Sequence, residues 1–288
     1  MTRETPESGL ARRRKRLSDE ETARRMLAAA AATVEEAGLT VSLDHISFEE
    51  IIRDAGVARS AVYRRWPYKD LFFSDLLREL AKGASPAIAD ANPGALQAAA
   101  RTVLAHLGWA RTPGLRRALA GEALREGALG EFQIFHRSSA WRTYFALQAT
   151  FRSLPDGHLR AEVQQSLAES EHSMVEDVAT AYAQVARLIG LRPRAGITFG
   201  TVARLAIATL RGLILMAPSN PEITAQRFQA NPFGAPEPAE WSEPALAIAT
   251  VVLGLLEADP EVEWTDEHER SVTAILRSGC RRRKMQQD

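Results

Sequence analysis

The chain has 288 residues with zero formal net charge, 45% hydrophobic and 25% charged residues, and one cysteine, Cys280. That length buries the cores of two domains, and that composition excludes fibrous and disordered classes. A lone cysteine excludes an intrachain disulfide and a thiolate zinc site and fits a reducing compartment, while the zero net charge excludes a whole-molecule field that would draw in nucleic acid.

The N-terminal segment is charged and holds no apolar signal core. The most apolar windows are 197–217, interrupted by Arg204 and Arg211, and 245–256, shorter than the roughly 20 residues a span needs. The expectation is a cytoplasmic protein with no membrane partner. Residues 1–17 read as a disordered basic arm ending in Arg12, Arg13, Arg14, Lys15 and Arg16, and a second basic run is Arg281 to Lys284. The first run gains weight from its place directly before the segment described next.

Ser18-Asp19-Glu20-Glu21 is a capping box, with Ser18 positioned to accept an early amide and Glu21 to reach back. Met26, Leu27, Ala30, Val34 and Ala37 then keep helical spacing until Gly38. An irregular connector, 39–46, leads to a second capping box at Ser47-Phe48-Glu49-Glu50, and Ile51, Ile52 and Ala55 form the buried stripe of a short helix. Gly56 turns the chain into a helix over 58–66, which Pro67 stops. A fourth helix, 69–82, carries Leu71, Phe72, Leu76, Leu77 and Leu80.

The helix over 58–66 hangs on two apolar anchors, Val57 and Val62, and its outward side shows Arg59, Ser60, Tyr63, Arg64 and Arg65, with Lys69 just beyond. A solvated helix usually mixes both signs; this one is poor in acids and follows a tight turn, the layout of a helix-turn-helix that enters a major groove. Tyr63, Arg64, Arg65, Lys69 and the Ser47 end suit phosphates, and the basic arm could follow the groove. Arg59 prefers guanine, Ser60 bonds either kind of base, and Ala61 can touch a thymine methyl.

Ala55-Gly56-Val57, Val62-Tyr63-Arg64-Arg65-Trp66-Pro67 and Lys69-Asp70-Leu71-Phe72 resemble the tetracycline-repressor (TetR) type of bacterial transcriptional regulator. That family usually reads Ala-Gly-Val-Ser, Phe-Tyr-Arg-His-Phe and Lys-Glu-Ala-Leu there. The resemblance covers 18–82. It implies an all-α fold: a helix-turn-helix head on a helical body, 83–288, that dimerises and holds a small effector. By position it assigns Tyr63, Arg64 and Lys69 to phosphates and Arg59, Ser60 and Ala61 to base edges. Ala58 departs from the usual Ser or Thr cap, Ile52 fills a usually small position, Tyr68 replaces a Ser cap, and the connector before Ser47 is longer.

A small-residue hinge, 83–93, separates head from body. Helices are expected over 94–109, 114–128, 132–151, 159–191, 195–217, 242–258 and 265–282, with a proline-rich loop or lid over 218–240 and no competing strand alternation. The helices over 195–217 and 242–258 mix Gly200, Ala203, Ala208, Gly212 and Gly254 with branched apolar residues, which suits a homodimer interface as well as burial in their own bundle. Arg211-Gly212-Leu213 resembles the family's Asp-Gly-Leu segment, with arginine replacing the acid.

Trp109, Phe132, Phe135, His136, Trp141, Tyr144, Phe145 and Tyr182 are the candidate walls of an effector pocket, and equally a plain aromatic core. Glu171-His172 with Glu176 lacks the second histidine of a zinc helix, and there is no phosphate loop, nucleophile elbow or supported carboxylate pair. Neither a cofactor nor catalysis is expected. The function expected is that of a sequence-specific DNA-binding regulator, a repressor released by a small molecule, that binds a pseudo-palindromic operator as a homodimer. The rival reading is a helical sensor or scaffold whose degenerate helix-turn-helix binds protein.

Overall fold

The computed structural model describes residues 17–37, 47–83 and 93–284, with the side chains of 35, 37, 83, 93–96 and 279–284 excepted. The basic arm Arg12–Arg16, the connector 39–46, the hinge 84–92 and the side chains of Cys280 and the C-terminal basic run therefore lie outside the described residues. The fold is all-α.

The head is α1 (Asp19–Ala37), α2 (Phe48–Asp54), α3 (Arg59–Arg65) and α4 (Lys69–Gly83). Ser18 accepts the Glu21 amide at 3.1 Å, one half of the expected capping box. The reciprocal half is replaced: the Glu21 carboxylate turns to Arg24 and Arg25, both at 2.7 Å, and these hydrogen bonds hold its pKa below the ordinary carboxylate value. Met26, Ala30 and Val34 of α1, Phe48, Ile51 and Ile52 of α2, Val62 of α3 and Phe72 and Leu76 of α4 form one buried cluster. Their helical spacing puts every one of them on an inward face.

The body runs α5 (Pro93–Ala105), a 3₁₀ turn (Leu107–Arg111), α6 (Pro113–Arg137), α7 (Ser139–Ser153), α8 (His158–Leu188), α9 (Phe199–Met216), the short α10 (Glu222–Ala225), α11 (Glu243–Gly254) and α12 (Asp266–Lys284). α6 packs between α5 and α11, and α8 between α4 and α9. α9 is apolar enough by length and composition to cross a membrane (mean hydropathy 1.5 over 18 residues), yet its Val202, Ala206, Ile207, Leu210 and Leu213 are buried in the bundle.

Three expectations need correction. The break expected between 128 and 132 is absent: α6 continues through Gly130 to Arg137, and the chain turns at Ser138, which caps α7 by accepting the Trp141 amide at 3.3 Å. A glycine costs a helix about 1 kcal/mol, and packing on both sides offsets it here. Strands also occur. β1 (Leu191–Pro193) pairs antiparallel with β4 (Leu256–Ala258), which ends the helices expected to reach 191 and 258. Finally, the loop expected over 218–240 contains α10 and a hairpin of β2 (Arg227–Ala230) and β3 (Ala239–Ser242), with Phe228 opposite Trp241. Pro232, Pro236 and Pro238 sit in the hairpin's connection, where no ladder amide is needed.

Arg116 locks the ends of these elements together. Its side chain is buried and donates to the carbonyls of Ala110 (2.9 Å), Gly190 (3.4 Å), Asp259 (3.3 Å) and Val262 (3.0 Å). Burial pulls its pKa down from the ordinary arginine value, against a smaller opposite pull from Asp259. Gly190 has φ +69, and a Cβ there would lie 2.8 Å from the Arg116 guanidinium, so this turn needs glycine for its backbone and for space.

Candidate nucleic-acid interface and body cavity

Gly56, at φ +63, makes the turn between α2 and α3 possible, because a left-handed backbone is strained for residues bearing a Cβ. Ala58 occupies the N-cap of α3 in an extended conformation and provides no side-chain acceptor. Val62 is fully buried at 0% exposure and anchors α3, and Trp66 closes it, its indole donating to Asp75 at 2.9 Å while the Arg65 guanidinium lies 5.8 Å from its ring. Pinned this way, α3 exposes Arg59, Ser60, Tyr63, Arg64 and Arg65; Ala61 is half-buried and Lys69 is exposed at the start of α4. Ser47 is spent on capping, accepting the Glu50 amide at 3.3 Å.

The face is less free of acids than α3 read by itself. Glu49, on α2, pairs with Arg59 at 2.6 Å and accepts the Tyr63 hydroxyl at 3.0 Å, which holds that phenol's pKa above its ordinary value. Arg64 pairs with Asp19 at the start of α1. Sequence reasoning assigned Glu49 to the capping box and missed this role. Its signal was an acid on the first turn of α2, with a whole helix and a turn between it and its partners. Exposed pairs of this kind contribute about 0–1 kcal/mol, so a phosphate can displace them.

The head is joined to the body by a relay of charged groups. Asp75, which holds Trp66, also pairs with Arg78 at 2.8 Å, and Arg78 pairs with Glu162 of α8 at 2.6 Å. Further along α8, Glu171 accepts Arg211 of α9 at 2.7 Å and the Tyr144 hydroxyl of α7. Arg211 lies 4.9 Å from the Tyr144 ring and 5.6 Å from that of Trp141, so it faces inward from α9.

A cavity of about 600 Å³ opens in the body between α5, α6, α8, α9, α11 and α12. It exists because α6 shows it a stripe of small residues, Ala120, Ala123, Gly127 and Ala128 at helical spacing, against Ile207, Leu210, Ile248 and Val252 opposite. Of the aromatic set expected to form a pocket, Tyr182 lines this cavity. Phe135, Trp141, Tyr144 and Phe145 interlock instead at the α6–α7 turn, with ring centres 5.2–6.2 Å apart. Phe132 stacks on His136 at 5.6 Å, and Trp109 packs on His106 at 4.4 Å.

The sequence reading also missed Glu131, one turn beyond that small-residue stripe and a wall of the same cavity. It forms no ion pair or hydrogen bond among the described residues. Burial pushes its pKa up to about 7, and its charge adds to the burial that raises the pKa of Tyr182. No group of acids, histidines or cysteines among the described residues could hold a metal ion.

No family model matches the chain, and no curated protein matches it. Among solved structures the chain is similar to full-length native TylP, a TetR regulator from Streptomyces fradiae, at 15% identity and a TM-score of 0.37, over 90% of this chain and 99% of that one.

Proposed function

We propose that the protein is a homodimeric DNA-binding transcriptional regulator, a repressor that leaves its operator when a small molecule enters the body. The observation that carries this reading is α3: a short helix pinned by Val62 and Trp66 that exposes Arg59, Ser60, Tyr63, Arg64 and Arg65 together, with Lys69 beside them. Tyr63, Arg64 and Lys69 take phosphates and Arg59, Ser60 and Ala61 meet base edges, while the arm Arg12–Arg16 follows the backbone. Such a protein works in the cytoplasm, beside its DNA.

A two-fold dimer presents two copies of α3 to half-sites about one helical turn apart. The outer side of α9 supports a second copy as partner: Leu205, Ala208, Gly212, Leu215 and Met216 recur at helical spacing, and Leu205, Leu215 and Met216 are 45–58% exposed. α11 lies beside α9 and adds Thr250 and Gly254 at the surface. The cavity supplies the effector's place, and α8, which lines it, also meets α4 through Arg78 and Glu162. A ligand that favours a shifted α8 thereby changes the spacing of the two α3 helices.

The test is a gel shift with the DNA upstream of the protein's own gene, followed by titration at two salt concentrations. Tyr63→Ala and Lys69→Ala should weaken binding to every sequence and flatten the salt dependence, each removing about one phosphate contact. Arg59→Ala should change which operator is preferred. The pairing of Arg59 with Glu49 and of Arg64 with Asp19 favours a second reading, a head that has exchanged DNA for a protein partner. A folded dimer that shifts no intergenic fragment would establish it.

A further inference from the structure

The cavity has a chemistry of its own. Most of its walls are Ala, Val, Leu and Ile. Among the described residues its titratable lining groups are Glu131 on α6 and Asp177 and Tyr182 on α8; of those residues α5, α9, α11 and α12 bring no charged side chain to it, and no Lys, Arg or His lines it. Asp177 is exposed, as are Gln184, Val185 and Ile275, and these mark the mouth; Glu131 and Tyr182 are more deeply set. An apolar chamber with an unpaired carboxylate inside and another acid at its entrance selects by charge. An anion would meet two carboxylates and no base. A neutral apolar ligand would leave Glu131 protonated and draw nothing from its charge. A cation on an apolar body satisfies the walls and the carboxylate together.

We propose that the body cavity binds a lipophilic monocation, an alkyl- or arylammonium or a phosphonium, with Glu131 as its counter-ion. This rests on the effector reading only for its consequence at the DNA; the binding itself does not depend on it. The volume, about 600 Å³, lies within the 300–1,000 Å³ usual for small-molecule sites. Burial pushes the pKa of Glu131 up to about 7, so below that pH a cation must displace a proton to pair with it. Affinity therefore rises with pH through that range.

The experiment is isothermal titration of the full chain with two pairs of probes. Tetraphenylphosphonium and tetraphenylborate share one shape and carry opposite charges; decyltrimethylammonium and decanoate form a flexible pair below micelle concentrations. None of the cations titrates, so any pH effect belongs to the protein. At least one cation should bind ten times or more tighter than its anionic counterpart, and about tenfold tighter at pH 8 than at pH 6. Glu131→Gln should abolish the pH step and most of the charge preference, with its circular dichroism melt reporting the fold. Asp177→Asn should keep the pH step.

Anions binding as well as cations, a preference that survives Glu131→Gln, a pH step lost in Asp177→Asn instead, or no binding of either pair would overturn the assignment. A gel shift with bound cation separates the two readings. Cation binding that leaves DNA affinity unchanged keeps the cavity assignment and removes the effector role. Release of DNA by a neutral or anionic compound, without cation preference, keeps the regulator and removes this inference.

Discussion

Arg116 takes its guanidinium into the interior and meets carbonyl oxygens there. Nothing near it in sequence foretold this, because three of its four acceptors lie 74 to 146 residues away. Arg116→Met keeps the volume but strands those carbonyls, and we expect a loss of roughly 2–4 kcal/mol in a denaturant melt. Glu131 acts on stability through pH with the opposite sign to a paired acid. Its folded pKa, about 7, lies above the ordinary carboxylate value of 4.5, so the unfolded chain ionises first as pH rises. Stability should therefore fall between about pH 4.5 and 7, by up to roughly 3 kcal/mol, and Glu131→Gln should flatten that slope in a pH series of melts. Ala58, by contrast, was legible at once, since an N-cap needs only its own residue and the next turn. It sits extended at that position with no side-chain bond, and Ala58→Ser should raise stability by about 1 kcal/mol in the same melts.

At the scale of elements, the head could be read closely because its signals are local: two serine caps, one left-handed glycine and one stopping proline. The body was harder where glycine and proline punctuate without ending an element. α6 runs past Gly127 and Gly130; at Gly127 it packs against α5, with Ala99 an ordinary contact distance, 3.8 Å, from where a Cβ would stand. The hairpin of β2 and β3 escaped because strands of four residues show no sustained alternation, and its prolines belong to the connection. That connection is packed down: Phe233 meets Trp241 edge-to-face at 5.4 Å and covers Gly121 of α6. A Cβ at Gly121 would lie 2.9 Å from the Phe233 ring and 3.4 Å from its Cβ. Gly121→Ala should lift the connection off α6, costing about 1–3 kcal/mol and changing Trp241 fluorescence.

Across the whole molecule, the all-α class followed from periodicity, whereas the cavity did not. A hole is a property of residues that are small together, and the stripe on α6 reads in sequence as ordinary alanine-rich helix. The proposed dimer belongs to this scale as well. α9 carries one apolar face into its own bundle and a second outward, so Leu205→Glu with Leu215→Glu should leave a folded monomer by light scattering. That monomer should lose specific operator binding and retain weak, salt-sensitive adhesion to any duplex.

If α3 reads DNA as proposed, the acid beside it has a consequence for how time is spent along a chromosome. A regulator meets a vast excess of wrong sites, and what counts is the ratio of specific to non-specific affinity. Glu49 already satisfies Arg59 and Tyr63, so a random duplex must displace these exposed contacts to win theirs. A cognate site recovers that loss through base edges; a random one does not. Glu49→Gln should then lengthen residence on random DNA by up to about fivefold and lower the discrimination ratio, measured by anisotropy with cognate and scrambled duplexes.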